Sequence, residues 1–126
     1  MRILLVDDEK DFVSTLAERL SLRGIDVDWV IRPEDALRKA DEQCYDLAVL
    51  DVKMPRIDGI ALKGRLKQKC PSMKFIFLTG HGSGDDYQAG VNATGVDNYL
   101  AKPLKINDLL EKIKVVTAGQ GEEKDG

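Results

Sequence analysis

Asp7 with Asp8, Asp51, Thr79 and Lys102 each stand at or just beyond the end of a short apolar run, and this shared position suggests chemistry more than any one of them does. Taken singly, each has an ordinary structural role: an Asp after a strand caps a helix, a Thr makes a turn, a Lys is solvated. If the runs are parallel strands, their carboxyl ends form one rim, and that is where open parallel sheets bind ligands. Three carboxylates gathered there repel one another, and nothing purely structural offsets the repulsion. A divalent cation would. Ligation by oxygen, without thiol or imidazole, suits a hard ion, and few carboxylates with room for water suit Mg²⁺ better than a Ca²⁺ cage. A lysine and a threonine hydroxyl opposite the ion could hold the oxygens of a phosphoryl group. The implied reaction is phosphoryl transfer to a carboxylate, with Asp51 in the middle as nucleophile.

The elements that must position these groups can be read from periodicity. Five apolar runs, at residues 2–6, 25–30, 46–50, 74–78 and 96–100, alternate with helix-like stretches, which argues for an α/β sheet of parallel strands. Val13, Leu16, Ala17 and Leu20 make a first helical stripe closed by Gly24. Pro33 suits a first helical position before Ala36, Leu37, Ala40 and Cys44. Leu62, Leu66 and Cys70 make a third stripe, stopped by Pro71, and Ile106, Leu109, Leu110 and Ile113 mark the last and clearest helix. Between them, a fourth helix near residues 84–93 is weak, because Gly84 and Gly90 each cost about 1 kcal/mol against alanine and only Tyr87 and Val91 suggest a stripe. The first, third and fourth runs are almost wholly apolar. The second alternates Asp26 and Asp28 with apolar residues and the fifth contains Asp97 and Asn98, so these two belong at the edges. With right-handed crossovers the expected order is 2-1-3-4-5, a doubly wound flavodoxin-like (βα)5 sheet with its switch point between the first and third strands.

Composition bounds the function. A chain of 126 residues, 43% hydrophobic and 33% charged, suits one self-folding domain. No apolar run spans a bilayer, and none follows a basic amino terminus, which disfavours membrane and secreted classes. With 19 basic and 22 acidic side chains, the net charge of -3 leaves no footprint for direct nucleic-acid binding. Cys44 and Cys70 show neither CxxC spacing nor histidine partners, and both read as reduced thiols. Residues 118–126, AGQGEEKDG, read as a disordered tail or the start of a linker.

Four segments carry a family resemblance: LLVDDE (4–9), LDVKMPRIDG (50–59), LTGHG (78–82) and YLAKP (99–103). In order and spacing they resemble the response-regulator receiver domain of two-component signalling, in its chemotaxis-regulator-like form, over residues 1–117. The resemblance implies that Asp51 accepts a phosphoryl group from a phosphohistidine on a sensor histidine kinase or phosphotransfer protein, or from a small donor such as acetyl phosphate. It implies that Asp7, Asp8, Asp51 and the backbone carbonyl of Lys53 ligate Mg²⁺, that Thr79 hydrogen-bonds the phosphoryl oxygen, and that Lys102 pairs with it. The Lys102–Pro103 peptide is expected to be cis. Tyr99 matches the aromatic switch position, and Asp58 with Gly59 supports the loop into the third helix. Lys53 and His81, each two residues beyond a site residue, are expected to modulate water access to the phosphoryl group.

The implied protein is a cytoplasmic phosphorylation switch, with self-phosphorylation and slow autodephosphorylation as its only catalysis. The face made by the predicted fourth helix, the fifth strand and the last helix would contact an output domain, a partner protein or a second copy of the chain. It would act either as a stand-alone receiver or as part of a longer regulator. Three other classes share part of this pattern. A flavin-binding electron carrier shares the strand order but would have its phosphate repelled by Asp7 and Asp8. A phosphatase with an aspartate nucleophile would carry a second carboxylate at position 53, which is Lys. A pseudo-receiver would bind partners without phosphorylation.

Overall fold

The computed structural model describes residues 1–54, 56–80 and 98–125, with side chains described as far as residue 118. Five strands, β1 (Arg2–Val6), β2 (Asp26–Val30), β3 (Leu47–Asp51), β4 (Lys74–Thr79) and β5 (Tyr99–Ala101), form one sheet in the order β2-β1-β3-β4-β5. All pairings are parallel. Among the described residues there are four helices, α1 (Lys10–Ser21), α2 (Pro33–Glu42), α3 (Gly59–Lys69) and α4 (Ile106–Asp125). The predicted helix near residues 84–93 lies outside the described residues.

Alternation within each strand divides the core into two layers. Leu4, Val6, Ala48, Leu50, Phe75, Phe77 and Tyr99 face Ala36 and Ala40 of α2 and Leu62 and Leu66 of α3. Ile3, Leu5, Leu47, Val49, Ile76 and Leu78 face α1 and the Leu109 and Ile113 stripe of α4. β3 is central and every one of its residues is buried, Asp51 included. β2 is an edge, where Trp29 stays 37% exposed and the carboxylates of a half-wet strand cost little. α1 closes as its glycine predicts: Gly24 adopts φ +82°, its N–H reaches Ser21 O, and the Ile25 N–H reaches Leu20 O.

Two expectations change. α2 ends at Glu42, with Gln43 extended, so Cys44 is a loop residue and not part of the helical stripe. Cys44 and Cys70 are also not reduced thiols; they form a disulfide with Cα atoms 5.7 Å apart. Sequence spacing could not show this, because 26 residues separate the pair and only the side-by-side packing of α2 and α3 brings their ends together. α4, for its part, runs past the domain boundary expected at residue 117, so the division of the chain there stays a reading of the sequence.

Candidate functional site

The carboxyl rim is assembled by register. Val6 is the last β1 residue and lies opposite Leu50, while Asp51 lies opposite Leu78 and Thr79 opposite Ala101. Four neighbouring strands therefore end within a residue or two of the same level, and the residues that follow them meet at the top of the sheet. Two backbone bonds carry the alignment past the strands: Val52 N–H donates to Leu78 O at 2.9 Å, and Lys102 N–H to Thr79 O at 2.8 Å.

Asp7, Asp8 and Asp51 can each present a carboxylate oxygen such that the three lie within 4.8 Å of one another. Asp7 and Asp51 are buried and Asp8 is exposed, so the cluster has a dry floor and an open mouth. Burial, reinforced by the charge of Asp7, pushes the Asp51 carboxyl up to about 7 despite Lys102 nearby. Burial likewise raises Asp7, against the bonds it receives from Lys102 and from the Glu9 backbone. Two buried carboxyls held above their usual range report a place with too little positive charge for its acids. An all-oxygen donor set of this kind fits a small, hard divalent cation.

Lys102 reaches in from the other side. Its Nζ lies 2.8 Å from Asp7 Oδ2, 2.7 Å from Glu9 Oε1 and 3.8 Å from Asp51 Oδ2, and 4.6 Å from the centre of the Phe12 ring. Burial lowers its affinity for a proton, but its bonds to Asp7 and Glu9 outweigh this and leave the ammonium raised. The Lys102–Pro103 peptide is cis. Thr79 is fully buried, and its hydroxyl has no hydrogen-bond partner among the described residues. A buried hydroxyl without a partner costs stability unless something engages it. Tyr99 is buried opposite Phe77, one pleat below Thr79 and Ala101 on the same sheet face.

Of the residues expected at the site, Asp7, Asp8, Asp51, Thr79 and Lys102 come to the rim, and Tyr99 lies below it. Lys53 is exposed just after Asp51, and a hydrogen bond from its backbone draws the Asp51 carboxyl down. His81 lies outside the described residues. Three participants were missed or underrated. Glu9 is the α1 N-cap residue but makes no side-chain cap bond; its carboxylate goes to Lys102 instead. Phe12, one turn into α1, lies against the same ammonium. Both could have been suspected from an acidic run leading into a helix, but only the fold shows that Lys102 reaches them. Gly59 is the third. A Cβ there would lie 2.3 Å from the Asp51 carbonyl oxygen, so only glycine lets the start of α3 sit against the end of β3. Its N–H donates to Val52 O, and Asp58 caps the helix by accepting from the Ala61 N–H at 2.8 Å. The "DG" pair is thus a seat for α3 on the loop that follows Asp51.

Comparison with known proteins supplies relatives. The response regulator receiver domain model matches residues 3–114. The transcriptional regulatory protein PrrA of Mycobacterium leprae is 35% identical over 95% of this chain and 51% of its own length. The alkaline phosphatase synthesis transcriptional regulatory protein PhoP of Bacillus subtilis is 34% identical over 91% of this chain and 48% of its own. The chain spans about half the length of these curated relatives. Among solved structures, a CheY-like response regulator receiver domain protein from Methanospirillum hungatei superposes with TM-score 0.84 at 34% identity, covering 99% of this chain and 98% of that one. The receiver domain of the Francisella response regulator 1452 superposes with TM-score 0.80 at 27% identity, covering 94% and 98%.

Proposed function

Because the chain belongs to the response regulator receiver domain family, we propose that Asp51 is the phosphoacceptor of a Mg²⁺-dependent switch. The observation that carries this reading is the buried Asp51, its carboxyl raised to about 7, between two further carboxylates and the Lys102 ammonium. Asp7, Asp8, Asp51 and the Lys53 carbonyl would hold the cation. When bound, Mg²⁺ would lower the proton affinity of Asp51 and neutralise charge on the transferring phosphoryl group. An Asp51 carboxylate oxygen attacks phosphorus, and the bond to the donor breaks, whether to the histidine nitrogen of a kinase or phosphotransfer protein or to the acyl oxygen of acetyl phosphate. Lys102 exchanges part of its pairing with Asp7 and Glu9 for the new phosphoryl oxygens, and the Thr79 hydroxyl gains an acceptor.

That last step supplies the switch. Phosphorylation adds roughly 1.5 to 2 negative charges, and moving a population from 1:99 to 99:1 takes about 5.5 kcal/mol, within reach of several charge-assisted bonds and a metal. Thr79 drawn towards the phosphoryl group opens space beside Tyr99, and the rearrangement passes to the face of β5 and α4. That face is where an output domain, a partner or a second copy would read the state. The relatives named as transcriptional regulators support a longer regulator working in the cytoplasm, with DNA contacted elsewhere than in this domain. No helix among the described residues is long and apolar enough to cross a membrane.

The test is intact-mass spectrometry after incubation with acetyl phosphate and Mg²⁺. A single phosphoryl adduct, lost in Asp51→Asn and on chelation, is expected. Absence of both adduct and Mg²⁺ binding would sink the proposal in favour of a pseudo-receiver acting by contact alone.

A further inference from the structure

We propose that Cys44 and Cys70 form a reversible thiol–disulfide exchange site, entered at Cys44 by a low-molecular-weight thiol, that locks or frees the far end of α3. This goes beyond the phosphoacceptor reading and does not depend on it.

The two sulfurs differ in their surroundings. Cys44 is exposed in the loop between α2 and β3, whereas Cys70, the C-cap residue of α3, is 2% exposed and packs in the layer beneath α2 and α3. A cavity of about 230 Å³ opens beside the bond between residues 44–46 and 70–73. It has room for a thiol-bearing side chain but not for a folded domain. Both cysteines line this cavity, and the exposed one, Cys44, is the point of attack in this proposal. Attack there forms a mixed disulfide on Cys44 and breaks the bond to Cys70, which leaves with the electron pair and takes up a proton. A second thiolate then attacks the external sulfur, releasing Cys44. The net reaction converts the protein disulfide and two small thiols into two protein thiols and one small disulfide.

Opening the bond need not disturb the fold around it. Lys69 pairs with Asp41 across the ends of α3 and α2. The Cys70 N–H donates to Leu66 O at 2.8 Å, Met73 N–H to Cys70 O at 3.0 Å, and Lys74 N–H to Asp46 O at 3.0 Å. These contacts hold the two backbones at bonding distance without sulfur, so the reduced pair remains poised to close again. The two apolar layers already give a domain of this size its core, so a staple is not what makes it fold. The ring closed by the bond contains β3, Asp51 and all of α3. Reduction removes the covalent tie between the carboxyl end of α3 and the loop after α2, leaves the Lys69–Asp41 pair as the remaining link there, and leaves the seat of α3 at Gly59 intact.

The test equilibrates the 126-residue chain anaerobically in glutathione buffers, followed by acid quench, alkylation and intact-mass analysis, with circular dichroism to follow folding. The expected result is interconversion between no alkylated cysteine and two, with the fold retained. Diluting the buffer tenfold at constant ratio of reduced to oxidised glutathione should raise the oxidised-to-reduced protein ratio about tenfold, because two small thiols are consumed per disulfide. Brief alkylation of the reduced native protein should mark Cys44 well before Cys70. Cys70→Ser should accumulate glutathione on Cys44, and Cys44→Ser none on Cys70. A bond that opens only on unfolding, two free thiols at every buffer ratio, a ratio insensitive to dilution, or equal labelling of both cysteines would each overturn the proposal.

Discussion

The two ends of the sheet treat their polar groups in opposite ways. At the carboxyl end, Asp7 and Asp51 are buried with their carboxyls raised, and the Thr79 hydroxyl has no partner among the described residues. At the amino end, the Arg2 N–H donates to Asp46 Oδ2 at 2.8 Å, Tyr45 donates its buried hydroxyl to Asp28 Oδ2 at 2.5 Å, Lys69 pairs with Asp41, and a disulfide closes the corner. Burial and the Asp28 bond push the Tyr45 phenol up to about 12, so it stays a donor at every physiological pH. Residues of similar chemistry thus sit satisfied at one end and frustrated at the other. The frustrated end costs stability, and the satisfied end helps make that cost bearable.

The sharpest way to break this comparison is to relieve the frustration. Asp51→Asn should abolish phosphoryl uptake in the mass assay while raising the stability of the metal-free protein by as much as about 4 kcal/mol at pH 8, since one pKa unit is worth about 1.4 kcal/mol. The same reasoning gives a pH profile for the unsubstituted chain under chelation. Below pH 3.8 Asp51 is neutral in both folded and unfolded forms; above it the unfolded carboxyl ionises while the folded one keeps its proton until about pH 7. The unfolded state therefore binds fewer protons, and stability should fall between pH 4 and pH 7. Asp7, also raised, acts in the same direction. Denaturant titrations across this range should show the decline, a shallower one in Asp51→Asn, and partial recovery at pH 8 on adding Mg²⁺. A flat profile would mean that the rim is not under electrostatic tension.

The satisfied end should respond in the opposite sense. Opening a ring of this length by Cys70→Ser is expected to cost about 3 kcal/mol by loop-closure entropy, read as a lower denaturation midpoint with no gain at any pH. Smaller, but more diagnostic of how the rim is built, is a pair of glycine changes in one helix. Gly59→Ala should cost about 2 kcal/mol and weaken Mg²⁺ binding, because its Cβ would strike the Asp51 carbonyl. Gly64→Ala, with nothing within 4 Å of the new carbon, should stabilise by about 0.5 to 1 kcal/mol. Least of all, breaking the exposed Arg56–Glu34 pair at 2.7 Å with Glu34→Gln should change stability by less than about 1 kcal/mol. Thermal melts of the three variants side by side would rank them.

How much of this was legible beforehand follows from which interactions are local. Strand and helix identity came from periodicity, and the edge position of β2 from Asp26 and Asp28, because a half-wet strand must show such residues in its own sequence; the fifth strand is also an edge, but it starts at Tyr99, so Asn98 lies before it and Asp97 lies outside the described residues. Asp7, Asp8, Asp51, Thr79 and Lys102 could be placed on one rim because parallel strands bring the ends of successive runs to one side. Glu9 and Phe12 as neighbours of Lys102 could not, since they lie 93 and 90 positions away in the chain. The Cys44–Cys70 bond was misread for the same reason: the spacing of two cysteines says nothing about which helix ends pack together.

Sequence alone determined the architecture, the strand order, the family and the set of acids, because these rest on repeated local patterns and on four motifs in fixed order. Only the tertiary structure decided how strongly those acids are perturbed, which partners Lys102 takes, why position 59 must lack a side chain, and that the opposite corner is covalently closed. Each of these depends on burial or on distances between segments remote in the chain, and such quantities exist only once the layers have packed.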